Sequence, residues 1–162
     1  LGPLTNPAHV NYELLGCYDV NLLETLAKAL KLTGVQRGMV INGNGMDEIS
    51  IFGSTKVSEL LADGSIKNYE LTNKDFGITG NYTQNDLLGG TPEENAATAR
   101  LILSGKGNDA HNAVISANVS AMLHLAGKTE SFKDGFEIAM DAVKSGRGIE
   151  KLDAISKITS EA

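Results

Sequence analysis

Tyr12-Glu13-Leu14-Leu15-Gly16-Cys17 and Arg37-Gly38-Met39-Val40-Ile41 are two short apolar runs, and the segment between them, Asp19 to Gly34, carries Leu22, Leu23, Leu26, Ala29 and Leu30 on one helical face. Both runs read as buried strands, although run length alone also admits a helical turn for the first. Asp19 is placed to cap the intervening helix and Gly34 to follow its end. Strand, helix and strand within about thirty residues form a βαβ unit, which predicts parallel strands joined by a right-handed crossover.

Outward from this unit, Asn42 to Glu48 is a loop, and Ile49 to Phe52 and Thr55 to Leu60 are expected to be extended. Asp63-Gly64 offers a hairpin turn into Ile66 to Leu71, an antiparallel addition to the sheet. Thr72 to Gly90 is rich in polar residues and glycine, so an irregular connection is expected there, with a short helical turn near Asp75. In Thr91-Pro92-Glu93-Glu94, Thr91 suits an N-cap, Pro92 the first helical position and Glu94 a capping box, which starts a helix running to about Gly105. Further helices are predicted over Asn108 to Ala126, Ser131 to Gly146 and Ile149 to Ile158, and the apolar stripes of these last three should be core. No repeat, low-complexity tract or linker divides residues 1–162, which are expected to form one domain. The fold class expected is α/β: a mainly parallel central sheet with an antiparallel hairpin addition, flanked by helices, and a helical carboxyl-terminal third.

Hydrophobic residues make up 41% of the chain and charged residues 21%, the balance of a folded globular protein. Twenty acids against fourteen bases give a net charge of -6, and the arginines are Arg37, Arg100 and Arg147 alone. No basic face is available to displace counterions, so duplex nucleic acid is not an expected partner. Cys17 is the only cysteine and reads as a small buried apolar residue. A reducing, cytoplasmic setting is therefore expected, with no membrane span and no signal peptide. The chain starts at Leu1 without an initiator methionine, and a fragment or cleavage product is expected.

Upstream of the βαβ unit, Leu1-Gly2-Pro3-Leu4-Thr5-Asn6-Pro7-Ala8 holds two of the three prolines. These fix φ and push Gly2 and Asn6 toward extended geometry, as in a shaped loop, with a stiff, frayed terminus as the competing reading.

The best candidate site is Asn42-Gly43-Asn44-Gly45-Met46-Asp47-Glu48, which follows a parallel strand at its carboxyl end, where α/β sheets bind ligands. At a loop-to-strand junction the adjacent carboxylates Asp47 and Glu48 can turn toward one cation. Hard oxygen donors that leave room for water and phosphate suit Mg²⁺. A solvated turn is the competing reading. His111 and His124 lack the i, i+4 spacing of a helical zinc pair and are expected to be structural or exposed, and His9 to be solvated. Gly43-Asn44-Gly45 is assigned no phosphate role, because neither a dinucleotide fingerprint nor a Walker sequence surrounds it.

Taken in order, Leu1 to Ala8, Leu14-Leu15-Gly16-Cys17-Tyr18, Gly45-Met46-Asp47-Glu48-Ile49-Ser50, Asp75-Phe76-Gly77, Gly89-Gly90-Thr91-Pro92-Glu93-Glu94-Asn95 and Ala126-Gly127-Lys128 resemble the anthranilate phosphoribosyltransferase family. The resemblance covers essentially the whole chain and is to the carboxyl-terminal half of that family. It implies transfer of the phosphoribosyl group of phosphoribosyl pyrophosphate to anthranilate in tryptophan biosynthesis, with release of pyrophosphate. It also implies that Asp47 and Glu48 bind Mg²⁺ and that Pro3 lines an anthranilate pocket which Gly2 lets the backbone approach. The family's small helical domain, its glycine-rich pyrophosphate loop, and the arginine and histidine facing anthranilate have no counterpart here. The resemblance therefore implies a partner, the missing amino-terminal half, an isolated chain without activity and a homodimeric parent enzyme. A nucleoside phosphorylase of the same fold and a nucleic-acid-binding relative are the alternatives; the opening segment with the Asp-Glu pair, and the acidic charge, count against them respectively.

Overall fold

The computed structural model describes residues 2–160, so Leu1 of the opening segment lies outside the described residues. Strands β1 (Tyr12–Gly16) and β2 (Arg37–Gly43) pair in parallel, with Tyr12 opposite Arg37 and Gly16 opposite Ile41. The crossover is helix α1 (Leu23–Leu32), entered through a 3-10 turn at Val20–Leu22 in which the Asp19 carboxylate accepts from the Asn21 N–H at 2.9 Å. Leu23, Ala27 and Leu30 form its buried stripe; Leu22 is exposed and Ala29 only half-buried. The buried face is thus displaced at its start from the expected one, because the tighter 3-10 turn rotates Leu22 away from the stripe.

Strands β3 (Thr55–Leu60) and β4 (Ile66–Leu71) form the hairpin around Asp63-Gly64, giving a four-stranded sheet of order β1-β2-β3-β4. One of its three pairings is parallel and two are antiparallel. Within the described residues the sheet is therefore mixed rather than mainly parallel, while the α/β class, the hairpin addition and the helical last third are as expected. Ile49 to Phe52 is not a strand, although Ile49, Ser50 and Ile51 are 0–1% exposed. Both edges of β2 are already taken by β1 and β3, so this segment finds its partners through side chains. Asn118 Oδ1 accepts from the Ile49 N–H at 3.3 Å, Thr55 Oγ1 from the Ser50 N–H at 2.9 Å, and Asn73 Nδ2 donates to the Ile51 carbonyl at 2.7 Å. Apolar character marked burial here, without a ladder.

The remaining helices are α2 (Asn73–Phe76), α3 (Pro92–Leu103), α4 (Asp109–Leu125), α5 (Phe132–Lys144) and α6 (Gly148–Ser160). The capping box forms as predicted: the Glu94 carboxylate accepts from the Thr91 N–H at 2.8 Å and Thr91 Oγ1 from the Glu94 N–H at 3.3 Å.

Side-chain alternation along β2 divides the core into two layers. Val40 joins Cys17, Leu23, Ala27, Leu30 and Leu60 under α1. Met39 and Ile41 join Ile49, Ile51, Val57, Phe76 and the Ala110, Ala113, Ala117 and Ala121 edge of α4 on the opposite face. Small residues let α4 lie close to its neighbours, and Ser120 Oγ donates to the Phe132 carbonyl at 2.6 Å where α5 begins. The expectation of core stripes holds for α4 and α5 and fails for α6, where no residue is buried and Ile155 and Ile158 are 60% and 69% exposed. Both sheet faces are already covered, and α6 packs mainly against α3, which buries only Ile102.

At the amino end of β2 a charged cluster is sealed between sheet and α4. Glu59, 4% exposed, accepts from Tyr69 Oη at 2.8 Å and Arg37 Nη2 at 3.2 Å, with His124 Nε2 at 3.6 Å. Burial pushes the Glu59 carboxyl up, but His124, Tyr69 and Arg37 outweigh it and hold the carboxyl below its ordinary value. Arg37 Nη1 also donates to the His124 carbonyl at 3.3 Å, tying the last turn of α4 to the sheet.

Candidate functional site

Strand β2 ends in a tight reversal. Gly43 and Met46 exchange backbone hydrogen bonds at 2.9 and 3.1 Å, and the two residues between them have positive φ, 56° at Asn44 and 87° at Gly45. Positive φ at both central positions is the requirement of a type I′ turn, for which Asn-Gly is the preferred sequence. The chain leaves this turn as Asp47-Glu48 and passes back across the strand ends. A Cβ on Gly16 would collide with the carbonyl of Asp47, and one on Gly43 with the carbonyl of Glu48 and the amide of Ser50. The two carboxylate-bearing residues therefore rest on bare backbone at the exits of β1 and β2.

Asp47 and Glu48 stand at one side of a cleft of about 580 Å³ whose opposite wall is α4, presenting Val114, Ile115, Asn118 and Met122, with Leu87 from the 3-10 turn Gln84–Leu87. No lysine, arginine or histidine among the described residues forms an ion pair with either carboxylate. Glu48 keeps part of its surface in water, yet desolvation in the cleft, and then the negative charge of Asp47, push its carboxyl above its ordinary value. A dication would relieve that repulsion. No group of three or more His, Cys, Asp or Glu side chains converges among the described residues, which does not suit zinc. A carboxylate pair that leaves further positions to water and phosphate has the donor chemistry Mg²⁺ would require.

The other residues singled out in the sequence fall elsewhere. Pro3 starts an exposed 3-10 turn, Pro3–Thr5, and lines a separate cleft of about 450 Å³ with Leu4, Asn6, His9, Glu13 and Val35. The two clefts share no lining residue, so the structure unites Asp47 with Glu48 but does not join Pro3 or Gly2 to them. Gly2 is exposed and helical, at φ -49° and ψ -54°, contrary to the extended geometry expected before proline. Without a Cβ it escapes much of the clash with the proline ring. Asn6 is extended, as expected. His9 is exposed, and His124 belongs to the Glu59 cluster. His111, read as structural or exposed, is half-buried in the wall facing Asp47 and Glu48. The α4 wall was not foreseen as part of the site, because its residues are some seventy positions from the loop and form no motif; His111 and Asn118 are its polar members.

The model of the glycosyl transferase family, a/b domain, matches residues 1–149. The chain is 42% identical over 162 residues to an anthranilate phosphoribosyltransferase of Shewanella sp. (strain MR-4), covering all of this chain and 46% of that protein. It is 43% identical over 161 residues to that of Colwellia psychrerythraea, covering 99% and 44%. Among solved structures, the anthranilate phosphoribosyltransferase of Thermus thermophilus superposes with a TM-score of 0.84 at 35% identity, over 94% of this chain and 44% of the other. The Saccharomyces cerevisiae enzyme in complex with PRPP and Mg gives 0.84 at 28% identity, over 100% and 45%. The chain thus spans about half the length of the curated relatives it matches. With the family model matched over residues 1–149 and the sheet and helices shared with those structures, this chain belongs to the glycosyl transferase family and carries its a/b domain.

Proposed function

We propose that this chain is the carboxyl-terminal part of an anthranilate phosphoribosyltransferase, and that Asp47 and Glu48 hold the Mg²⁺ that accompanies phosphoribosyl pyrophosphate. The observation that carries the reading is the uncompensated carboxylate pair at the carboxyl end of β2, in a chain similar along its whole length to proteins of that name. In the reaction the anthranilate amine attacks C1 of the ribose, the bond from C1 to the pyrophosphate oxygen breaks, and the amine proton is lost. When bound, Mg²⁺ supplies charge neutralisation to the departing pyrophosphate. Asp47 and Glu48 orient the cation, and the apolar residues of α4 limit the water that reaches it. Pro3 and Gly2 border the anthranilate pocket once the opening segment meets the amino-terminal half. That half is the partner, bringing the pyrophosphate loop, and the whole enzyme works in the cytoplasm as a homodimer. A lone, buried, reduced Cys17 fits that compartment.

The test is to supply the chain with the remaining half of the protein and follow the loss of anthranilate fluorescence with phosphoribosyl pyrophosphate and Mg²⁺. Turnover with both halves and none with this chain alone is expected. Turnover with pyrimidine nucleosides and phosphate, and none with anthranilate, would overturn the assignment.

A further inference from the structure

Asn42 is the last polar residue of β2 before the turn, 6% exposed, and both ends of its carboxamide are hydrogen-bonded. Its Nδ2 donates to the carbonyls of Cys17 at 2.8 Å and Tyr18 at 2.9 Å, and its Oδ1 accepts from the Gly45 N–H at 3.1 Å. The partners fix its orientation, because two carbonyls require the NH₂ group and an N–H requires the oxygen. One side chain therefore joins the exit of β1 to the type I′ turn that follows β2. From that turn the chain passes directly onto Gly16 and Gly43, where Asp47 and Glu48 rest.

We propose that Asn42 is a positioning residue for the Asp47–Glu48 pair: by holding the two strand exits in register it sets where both carboxylates present their oxygens to a cation. The role rests on the reading of Asp47 and Glu48 as the cation site. Side chains that orient metal ligands from behind typically change affinity by about 10–100-fold when lost. Asn42 is not expected to touch cation or substrate.

The experiment uses the ¹⁵N-labelled chain and Mn²⁺ as paramagnetic probe, below the melting temperature of every variant. In the unmodified chain Mn²⁺ broadens the Asp47 and Glu48 amide signals first, and Asp47→Asn weakens this. Asn42→Ser and Asn42→Asp both lose the pair of donors to Cys17 and Tyr18; the second keeps an acceptor for Gly45. Each is expected to shift the Asp47 and Glu48 amide resonances and to need at least about tenfold more Mn²⁺ for the same broadening. Tyr69→Phe, which loses the hydrogen bond from β4 to Glu59, two strands across the sheet from Asn42, lowers stability and leaves the Mn²⁺ titration unchanged. If Asn42→Ser titrates like the unmodified chain with Asp47 and Glu48 resonances unmoved, the positioning role is wrong. If the unmodified chain and Asp47→Asn respond alike to Mn²⁺, the cation reading is wrong instead, and the resonance shifts in Asn42→Ser alone decide the positioning role.

Discussion

Gly16→Ala is the substitution that most directly probes how fold and site are joined. The new methyl group would meet the carbonyl oxygen and carbon of Asp47 and its Cβ, two of them rigid backbone atoms. To restore van der Waals distance the Asp47 carbonyl must retreat by more than an ångström, out of a loop pinned by Asn42 and the Gly43–Met46 turn. Overpacking of this kind costs about 1–3 kcal/mol. Alanine also restricts the unfolded chain relative to glycine, which returns about 0.4–1 kcal/mol. A net loss on the order of 1–2 kcal/mol follows, which lowers the melting temperature by about 2–8 °C for a chain of this size. Urea unfolding followed by far-UV circular dichroism measures the first quantity, and a thermal scan the second. Equal stability of Gly16→Ala and the unmodified chain, with Asp47 amide resonances unmoved, would refute the close seating of Asp47 on β1.

In the complete enzyme, Asp47→Asn should lower kcat/KM by about a hundredfold or more, the scale of losing one group that stabilises developing charge; a near-normal rate at saturating Mg²⁺ would count against the assignment. Tyr69→Phe removes the 2.8 Å hydrogen bond to buried Glu59 and should cost about 1.5–3 kcal/mol in urea unfolding. The two shifted carboxyls give opposite pH dependences. Glu59 lies below its ordinary 4.5 when folded, so its contribution to stability is present above that value and lost as pH falls through the folded value. Glu48 lies above 4.5, so its neutral form favours folding at low pH and that advantage disappears as pH rises through the folded value. Urea midpoints of the unmodified chain and Glu48→Gln between about pH 4 and pH 8 should therefore diverge as pH rises, with the variant the more stable at neutrality unless Mg²⁺ is added.

Local chemistry was legible in the sequence. The βαβ spacing, Thr91-Pro92-Glu93-Glu94 and the Asp63-Gly64 hairpin each depend on residues close in sequence, and each forms in the structure. The proximity of Asp47 to Glu48 was legible for the same reason. Tertiary structure alone decided that Ile49 to Ile51 is buried without pairing, because that depends on both edges of β2 being occupied. It decided that α6 keeps Ile155 and Ile158 exposed, since burial depends on which sheet faces remain open. It also brought Gly16 beneath Asp47, Asn42 between two strand exits and α4 across the cleft. Sequence by itself determined the strands of the βαβ unit and hairpin, the helices, the family resemblance and the acidic pair, since turns, caps and periodicity are short-range; the seat and wall of the site arise from contacts between distant segments, which no local pattern encodes.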